Sequence, residues 1–438
     1  MPAKQIRALG GVLLTVALGT TGCAGKEAAP VEPSKAAAPA KQEPVTLKFY
    51  TKTPIDDFEK YINQFVKKKF PHVTLQVVEN KKGSEIQDLI AANDVPDIIW
   101  EGLTNMGAAL AEYDVPMDMT ALAKKYGFDL NQYDAKLVDN IKSYSSKGEI
   151  LYLPYNVLVF GLHYNKDIFD KFGVAYPKDN MTWEDVNELG KKLTRQEGEQ
   201  QYIGLRPPLG VNRMQSQLSL SYVDAGGQKA ALATDGWKKL FETFKATNDF
   251  PNPPVVKSFF DARDEFLKKR TVAMLPDILQ LQNSDMAGLE KEGLRWDFAT
   301  YPTFKDKPNV GVGVFSDGFV LPKGSKHADQ AFQVIAYLSS DPEVQSEATR
   351  NGRITALKDA KVLEHAFENN PAAKGKNIKA VLSQKYPDPT VSSPYNGAGS
   401  GIINAKLVDY VNGKADVNTL LKQAEEEFNK KIAELKSK

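Results

Sequence analysis

Hydrophobic and polar positions change period several times along this chain, and each change marks an element. Thr46–Tyr50 alternates as a strand does, and Val73–Val78 and Asp97–Trp100 repeat the pattern after two stretches of helical spacing. Those stretches run from about Asp56 to Lys69, with Phe58, Ile62, Phe65 and Val66 on one stripe, and from Ser84 to Ala92. Strand, helix, strand, helix, strand predicts a parallel sheet covered by helices on both faces. Ligands of such sheets bind beyond the carboxyl ends of the strands, which singles out Thr51 and Lys52 after the first strand and Trp100, Glu101 and Asn105 after the third.

The most legible run is Gly148–Leu193. Leu151–Pro154 and Val157–His163 are apolar, β-branched or aromatic, and predict buried strands. Asn165–Phe172 sets Ile168, Phe169 and Phe172 against Lys166, Asp167, Asp170 and Lys171, a short amphipathic helix. Thr182 reads as an N-cap whose hydroxyl accepts from the free amides of the next turn, with Asp185 at the third helical position complementing the helix dipole. Further helices are predicted at Asn212–Val223, Gly236–Ala246 and Phe259–Lys269, followed by a strand, Thr271–Leu275, ending at Pro276 and Asp277. Strand character returns at Asp297–Thr303, Val310–Val314 and Gly318–Leu321, and Ala328–Ser340 and Asp416–Leu435 are amphipathic helices. No internal repeat of solenoid length is present.

The order PYN, an apolar crossing, YNKDIFDKFGV and then TWEDVNELGKKL resembles the extracellular solute-binding proteins of bacterial ABC sugar importers, in the maltodextrin-binding-like branch. FLKKRTVAML resembles a further motif of that family, in which a helix and a small strand present the next loop, here with Asp277 and Gln280, to the ligand cleft. The likeness extends over nearly the whole chain from about Pro44. It implies an α/β, two-lobed periplasmic-binding-protein-like fold, each lobe a mostly parallel sheet flanked by helices, with three hinge crossings, Tyr155–Phe160 among them. Residues 45–155 and 300–322 are then expected in the N-terminal lobe, and 156–299 and 323–438 in the C-terminal lobe. It also implies a monomeric receptor with a carbohydrate ligand, permease subunits as partners, and neither catalytic residues nor cofactor.

Length and charge agree with that outline. At 438 residues the chain exceeds what one hydrophobic core usually serves, so two domains are expected. Lys+Arg 56 against Asp+Glu 55 leaves a net charge of +1, which makes no electrostatic case for nucleic acid. Lys4 and Arg7 precede an apolar run, Leu9–Leu18, too short for a permanent membrane span, and small residues follow to Gly22: residues 1–22 read as an export signal. Cys23 is the only cysteine, so no internal disulfide can form. TTGC resembles a lipobox, with Thr20 in place of the usual Leu, and implies a lipid anchor on Cys23 at the outer face of the cell membrane; the alternative is a plain cleaved signal and an incidental thiol. Residues 23–44, rich in Ala, Pro, Lys and Glu without an aromatic, read as a disordered tether spanning roughly 25 Å.

Catalytic signatures are sparse. His72, His163, His327 and His365 are unpaired at helical spacing and no HExxH or CxxC occurs, which argues against a zinc or other metal site. GAGSG at Gly397–Gly401 lacks the spacing of a nucleophile elbow, and GVGVFSDG at Gly311–Gly318 lacks that of a dinucleotide loop. Carboxylate pairs drawn from distant strands leave a glycoside hydrolase as an alternative. A sugar receptor needs flat apolar surfaces for pyranose C–H faces and planar polar groups that engage hydroxyls in pairs. Trp100 and Glu101 offer one of each, although Trp100 could equally plug the core. Tyr155 and Asn156 at the crossing either face the ligand or pack as a hinge. Asp277 and Gln280, then Asn212, Arg213, Asp317 and Tyr395, complete the candidates. Glu101, Asp277 and Asp317 could instead hold the cation of a peptide or polyamine, and an adhesion module without a transporter is a further alternative.

Overall fold

The alternating run that opens the fold forms β1 (Val45–Thr51), flanked on either side by the parallel strands β2 (Val73–Glu79) and β3 (Ile98–Gly102). Then follow β4 (Leu153–Val157), β5 (Phe160–Asn165), β6 (Arg195–Glu197), β7 (Gln200–Leu205), β8 (Val272–Ile278), β9 (Trp296–Thr300) and β10 (Ser316–Val320). The structure is a computed structural model and describes residues 43–52, 55, 57–109, 114–145, 147–208, 210–250, 261–282 and 284–437. The export signal, Cys23, most of the tether and the start of the helix expected at Phe259–Lys269 lie outside the described residues.

Among the described residues ten strands form two five-stranded sheets, ordered β2-β1-β3-β10-β4 and β6-β7-β8-β5-β9. In the first, β10 runs antiparallel to both β3 and β4; in the second, β7 and β8 are parallel while β5 is antiparallel to β8 and β9. Both sheets are therefore mixed, a correction to the expectation of mostly parallel lobes. Parallel neighbours require a crossover of a dozen or more residues, and that constraint lapses for strands that arrive directly from the other sheet. β4 and β5 are such strands, separated only by Leu158 and Val159, and β10 is another.

Local rules act as the sequence predicts in the run that follows β5. Asn165 caps the helix Lys166–Phe172 by accepting from Asp167 N at 2.9 Å, and the helix ends at Gly173 with φ 63°. Thr182 and Asp185 form a reciprocal capping box: Thr182 Oγ1 accepts from Asp185 N at 3.2 Å, and Asp185 Oδ2 accepts from Thr182 N at 2.9 Å. Three elements differ from expectation. The helix expected over Asn212–Val223 stops at Gln217, because Ser219 takes φ 57°. β8 continues through Pro276 and Asp277 to Ile278, and Val310–Val314 connects the sheets without joining either.

One hydrophobic core holds the first sheet, with Phe49, Trp100, Tyr155 and Phe319 packed edge to face, and runs on into one face of the second sheet at Leu275, Trp296 and Phe298. A second core covers the other face with Trp183, Phe241 and Phe428. The helix Ala328–Ser340, expected in the C-terminal lobe, packs on β4 and on the helices Gln64–Lys69 and Thr120–Tyr126 of the first sheet. The helices Asn396–Val411 and Val417–Lys436 pack on each other and on Asp235–Ala246, and Asn396–Val411 also meets Leu103–Ala109, which follows β3.

Replacing Thr182 by Ala removes one arm of the capping box. Urea unfolding is expected to show a loss of about 1 kcal/mol; equal midpoints for the two proteins would mean that tertiary packing alone holds this helix.

Candidate functional site

Among the described residues three chain segments lie side by side at the crossing: residues 157–159 and 310–315 join the two sheets, and residues 351–357, the third, follow the helix Pro342–Arg350. The first, Val157–Val159, donates from Val157 N to Ile354 O and from Leu158 N to Phe315 O, each at 2.8 Å, so it is bonded to both of the others. At its far end Val159 N donates to Gln282 Oε1 at 3.2 Å, while Gln282 Nε2 donates to Gly352 O at 3.0 Å. Gly313 allows the second connection to press against the helix Asn212–Gln217: a Cβ there would meet Ser216 Cβ at 2.7 Å, and Gly313 N donates to Ser216 Oγ at 3.0 Å.

Two cavities open beside these connections. The front one, about 290 Å³, lies past the carboxyl end of β3, where α/β sheets bind ligands. Its first wall carries Thr104, Asn105, Asn140 and Tyr144; the facing wall carries Asn212, Gln215, Tyr222, Asn396 and Ser400, and Phe315 comes from the connection between them. Asn140 is aimed by donating to Val314 O at 3.4 Å, and Phe315 is steadied by Phe160 at 5.4 Å. Planar amides, hydroxyls and aromatic rings dominate, with one ion pair, Lys136 Nζ to Asp388 Oδ1 at 2.5 Å. The rear cavity, about 520 Å³, is mainly aliphatic, with Val159, Ile354, Leu363 and Val381 among its lining.

The candidates read from sequence divide between this lining and the layer beneath it. Asn105 and Asn212 line the front cavity. Glu101 is buried: it accepts from Gly102 N at 2.8 Å and Asn105 Nδ2 at 3.1 Å, and pairs with Lys52 Nζ at 3.2 Å, so it orients Asn105 from below. Trp100 is 2% exposed and wedged against Tyr155 at 5.5 Å and Phe319 at 5.3 Å. No face of its ring is open for stacking, which replaces the platform expectation with the core plug. Thr51, its register partner, is buried beside it. Tyr155 is buried with its hydroxyl donating to Tyr61 O at 2.9 Å, and Asn156 donates to Asp317 Oδ2 at 3.4 Å. Burial pushes the Asp317 carboxyl above its usual range although Arg353 NH1 stands 3.6 Å away.

Across the connections Asp277 forms a second buried knot. Arg213 NH2 and Arg263 Nε each approach it at 2.5 Å, and Ile278 N donates to it at 2.8 Å. Burial alone would raise this carboxyl; the two guanidiniums hold it below its ordinary value. Gln280 turns inward, donating to Ile278 O at 3.0 Å. Tyr395 precedes the helix Asn396–Val411, half-buried beneath Lys436 Nζ at 5.9 Å. Sequence reading missed Asn140, Tyr144, Gln215, Phe315, Asn396 and Ser400. Three of these carried a signal, since Asn212 with Gln215 and Asn396 with Ser400 repeat polar side chains at i, i+3 and i, i+4, one helix face each.

Residues 52–345 match the family model of the bacterial extracellular solute-binding protein. The chain belongs to that family. Among solved structures, this solute-binding protein is similar to an ABC substrate-binding protein from Listeria monocytogenes in complex with cycloalternan, at 22% identity over 89% of this chain and 100% of that one, with a TM-score of 0.72. It is also similar to the sugar-binding protein MalE from Xanthomonas citri, at 16% identity over 89% and 98% of the two chains and a TM-score of 0.67. These likenesses show the two-lobed periplasmic-binding-protein-like fold. A curated relative, the arabinooligosaccharide-binding protein of Bacillus subtilis (strain 168), is 24% identical over 260 residues, 58% of this chain and 58% of its own length. Among the described residues no helix is long and apolar enough to cross a membrane.

His163 provides a pH test of the buried layer. Its Nε2 accepts from Gln280 N at 3.1 Å, which leaves Nδ1–H to donate to Leu275 O at 3.2 Å, and burial pushes its pKa down to about 4. The folded protein then binds fewer protons at this site than the unfolded chain between about pH 6.5 and 4. The resulting stability is present above that window and lost as pH falls through it. Urea unfolding at pH 4.5 and 7 should show a smaller pH difference for His163→Gln than for wild type; equal differences would remove His163 as the source.

Proposed function

We propose that this chain is the extracellular receptor of an ABC importer, that it holds a mono- or oligosaccharide between its lobes and hands it to a membrane permease, and that it performs no catalysis. The observation that carries this reading is the front cavity, whose two walls present planar amides and hydroxyls around the rings of Tyr144 and Phe315. That is the chemistry of a neutral polyhydroxylated ring, whose C–H faces stack and whose hydroxyls both donate and accept. The names of the relatives, which include an arabinooligosaccharide-binding protein and a complex with cycloalternan, point the same way.

A cationic solute fits less well. Glu101 is buried against Lys52 and Asp277 against two arginines, so neither carboxylate can accept a ligand cation without giving up a partner. A glycoside hydrolase needs two carboxyl groups about 5–10 Å apart on either side of the bond it cleaves. The front cavity offers one, Asp388, already paired with Lys136.

Closure of the lobes supplies the mechanism, because ligand favours whichever state lets both walls touch it. One chain completes both walls, so the receptor acts as a monomer. The packing of Ala328–Ser340 supports a first lobe that runs to about residue 350, with the second taking up the chain again beyond the third connection. Lys4, Arg7 and the apolar run Leu9–Leu18 support export, and TTGC supports lipid anchoring through Cys23.

Calorimetric titration with arabino- and malto-oligosaccharides tests this reading. Tyr144→Ala and Phe315→Ala should each weaken binding about tenfold, roughly 1.4 kcal/mol, while Trp100→Phe leaves affinity unchanged. Full affinity in the Tyr144 and Phe315 double variant would falsify this assignment of the groove.

A further inference from the structure

The two cavities adjoin. Three segments line the rear cavity and then the front one in turn: Asp134–Leu137 leads to Asn140 and Tyr144, Gly311 and Val312 lead to Gly313–Phe315, and Gln384–Tyr386 leads to Pro387–Thr390. The lining residue common to both cavities is Lys136. Its Nζ stands 2.5 Å from Asp388 Oδ1, at the point where the groove changes from one compartment to the other.

That contact runs from wall to wall. Lys136 sits on the helix Ala135–Ser143, which is rooted in the first core by Leu137, Val138 and Ile141. Asp388 sits on a segment fixed to the other side, where Lys385 N donates to Asn309 O at 3.0 Å, Val391 N to Ser221 Oγ at 2.9 Å and Ser393 Oγ to Gly227 O at 3.2 Å. We propose that the Lys136–Asp388 ion pair is a bar across the groove that sets the length of saccharide the receptor accepts. The inference rests on the saccharide reading above.

The physical case is one of volume and solvation. Alone, the front cavity of about 290 Å³ lies at the low end of small-molecule sites, which run from about 300 to 1,000 Å³, and has room for a short saccharide. Joined to the rear cavity of about 520 Å³ it moves well up that range. A longer chain must part the two charges to reach the aliphatic rear compartment. The side chains are 39% and 78% exposed, so the pair is solvated and weak enough to open, yet its removal costs the fold little. Mutual contact holds the Lys136 pKa above and the Asp388 pKa below their ordinary values.

The test is calorimetric titration of the full chain with linear arabino- and malto-oligosaccharides of increasing length. Lys136→Ala and Asp388→Ala should each shift the affinity ratio of the longest to the shortest ligand about tenfold toward the longest. The reversed pair, Lys136→Asp with Asp388→Lys, should bring the ratio back to that of wild type. An unchanged ratio in both single variants overturns the proposal, and so does equal loss of affinity at every length. NMR titration of the Asp388 carboxyl in ligand-free protein reads the pair directly: its pKa should rise in Lys136→Ala, and no rise overturns the bar without touching the saccharide reading. A wild type that binds no saccharide removes that reading, and the bar with it.

Discussion

The lateral bonding of the three connections is what the rest of the molecule depends on. Val157 and Leu158 spend their amide protons on the other two connections, and Val159 O accepts from Leu279 N at 2.8 Å. Backbone polar groups buried at the crossing are thus satisfied by one another. The same arrangement delivers β4 to one sheet and β5 to the other with only two residues between them, which is why both sheets are mixed. It also carries the first core through the crossing into the second sheet, so the lobes are joined by packed protein and not by a solvated linker. Movement of such lobes is confined to bending about a few backbone positions.

On either side of this crossing sits a layer of buried charge. Glu101 with Lys52, Asp317 with Arg353, and Asp277 with Arg213 and Arg263 are withdrawn from the groove, and the first and third brace residues that reach it. Glu101 holds Asn105, while Arg213 follows Asn212 in the chain and anchors the start of that helix to β8. Taking one partner from a buried pair costs about 3–5 kcal/mol, because the other is left charged and dry. Most of the front cavity can therefore be lined with neutral side chains, Asn105 and Asn212 among them, that rest on charges lying beneath.

Local structure was well written into the sequence where one side chain decides it. Asn165, Thr182 and Asp185 cap helices through bonds within three residues of themselves, and such bonds do not depend on the rest of the fold. The lobe architecture was legible through a resemblance carried by several motifs in order. The site was less so, for a physical reason. Strand-end position marks where a groove lies but not which way a side chain faces: Trp100 and Glu101 are neighbours at the end of β3, yet one plugs the core and the other props Asn105. Tyr144 and Phe315 meet only when Ala135–Ser143 and the second connection are brought to the same cavity, and no local pattern records that meeting.

Because the front cavity is lined by neutral side chains apart from Lys136 and Asp388, which pair with each other, affinity there would come mainly from the pairing of amides and hydroxyls with water excluded. Such bonds are worth roughly 0.5–1.5 kcal/mol each net of solvent, so any one wall by itself holds a ligand weakly. Asn105, Asn140 and Tyr144 belong to one side of the crossing and Asn212, Gln215 and Asn396 to the other. On the proposed reading, a ligand touching both would gain the second set of contacts only when the sides approach, and that difference would be the free energy that favours the closed form. In the receptor proposed above, a site divided between two lobes would tie recognition to closure, with the hydrogen-bonded crossing as the hinge.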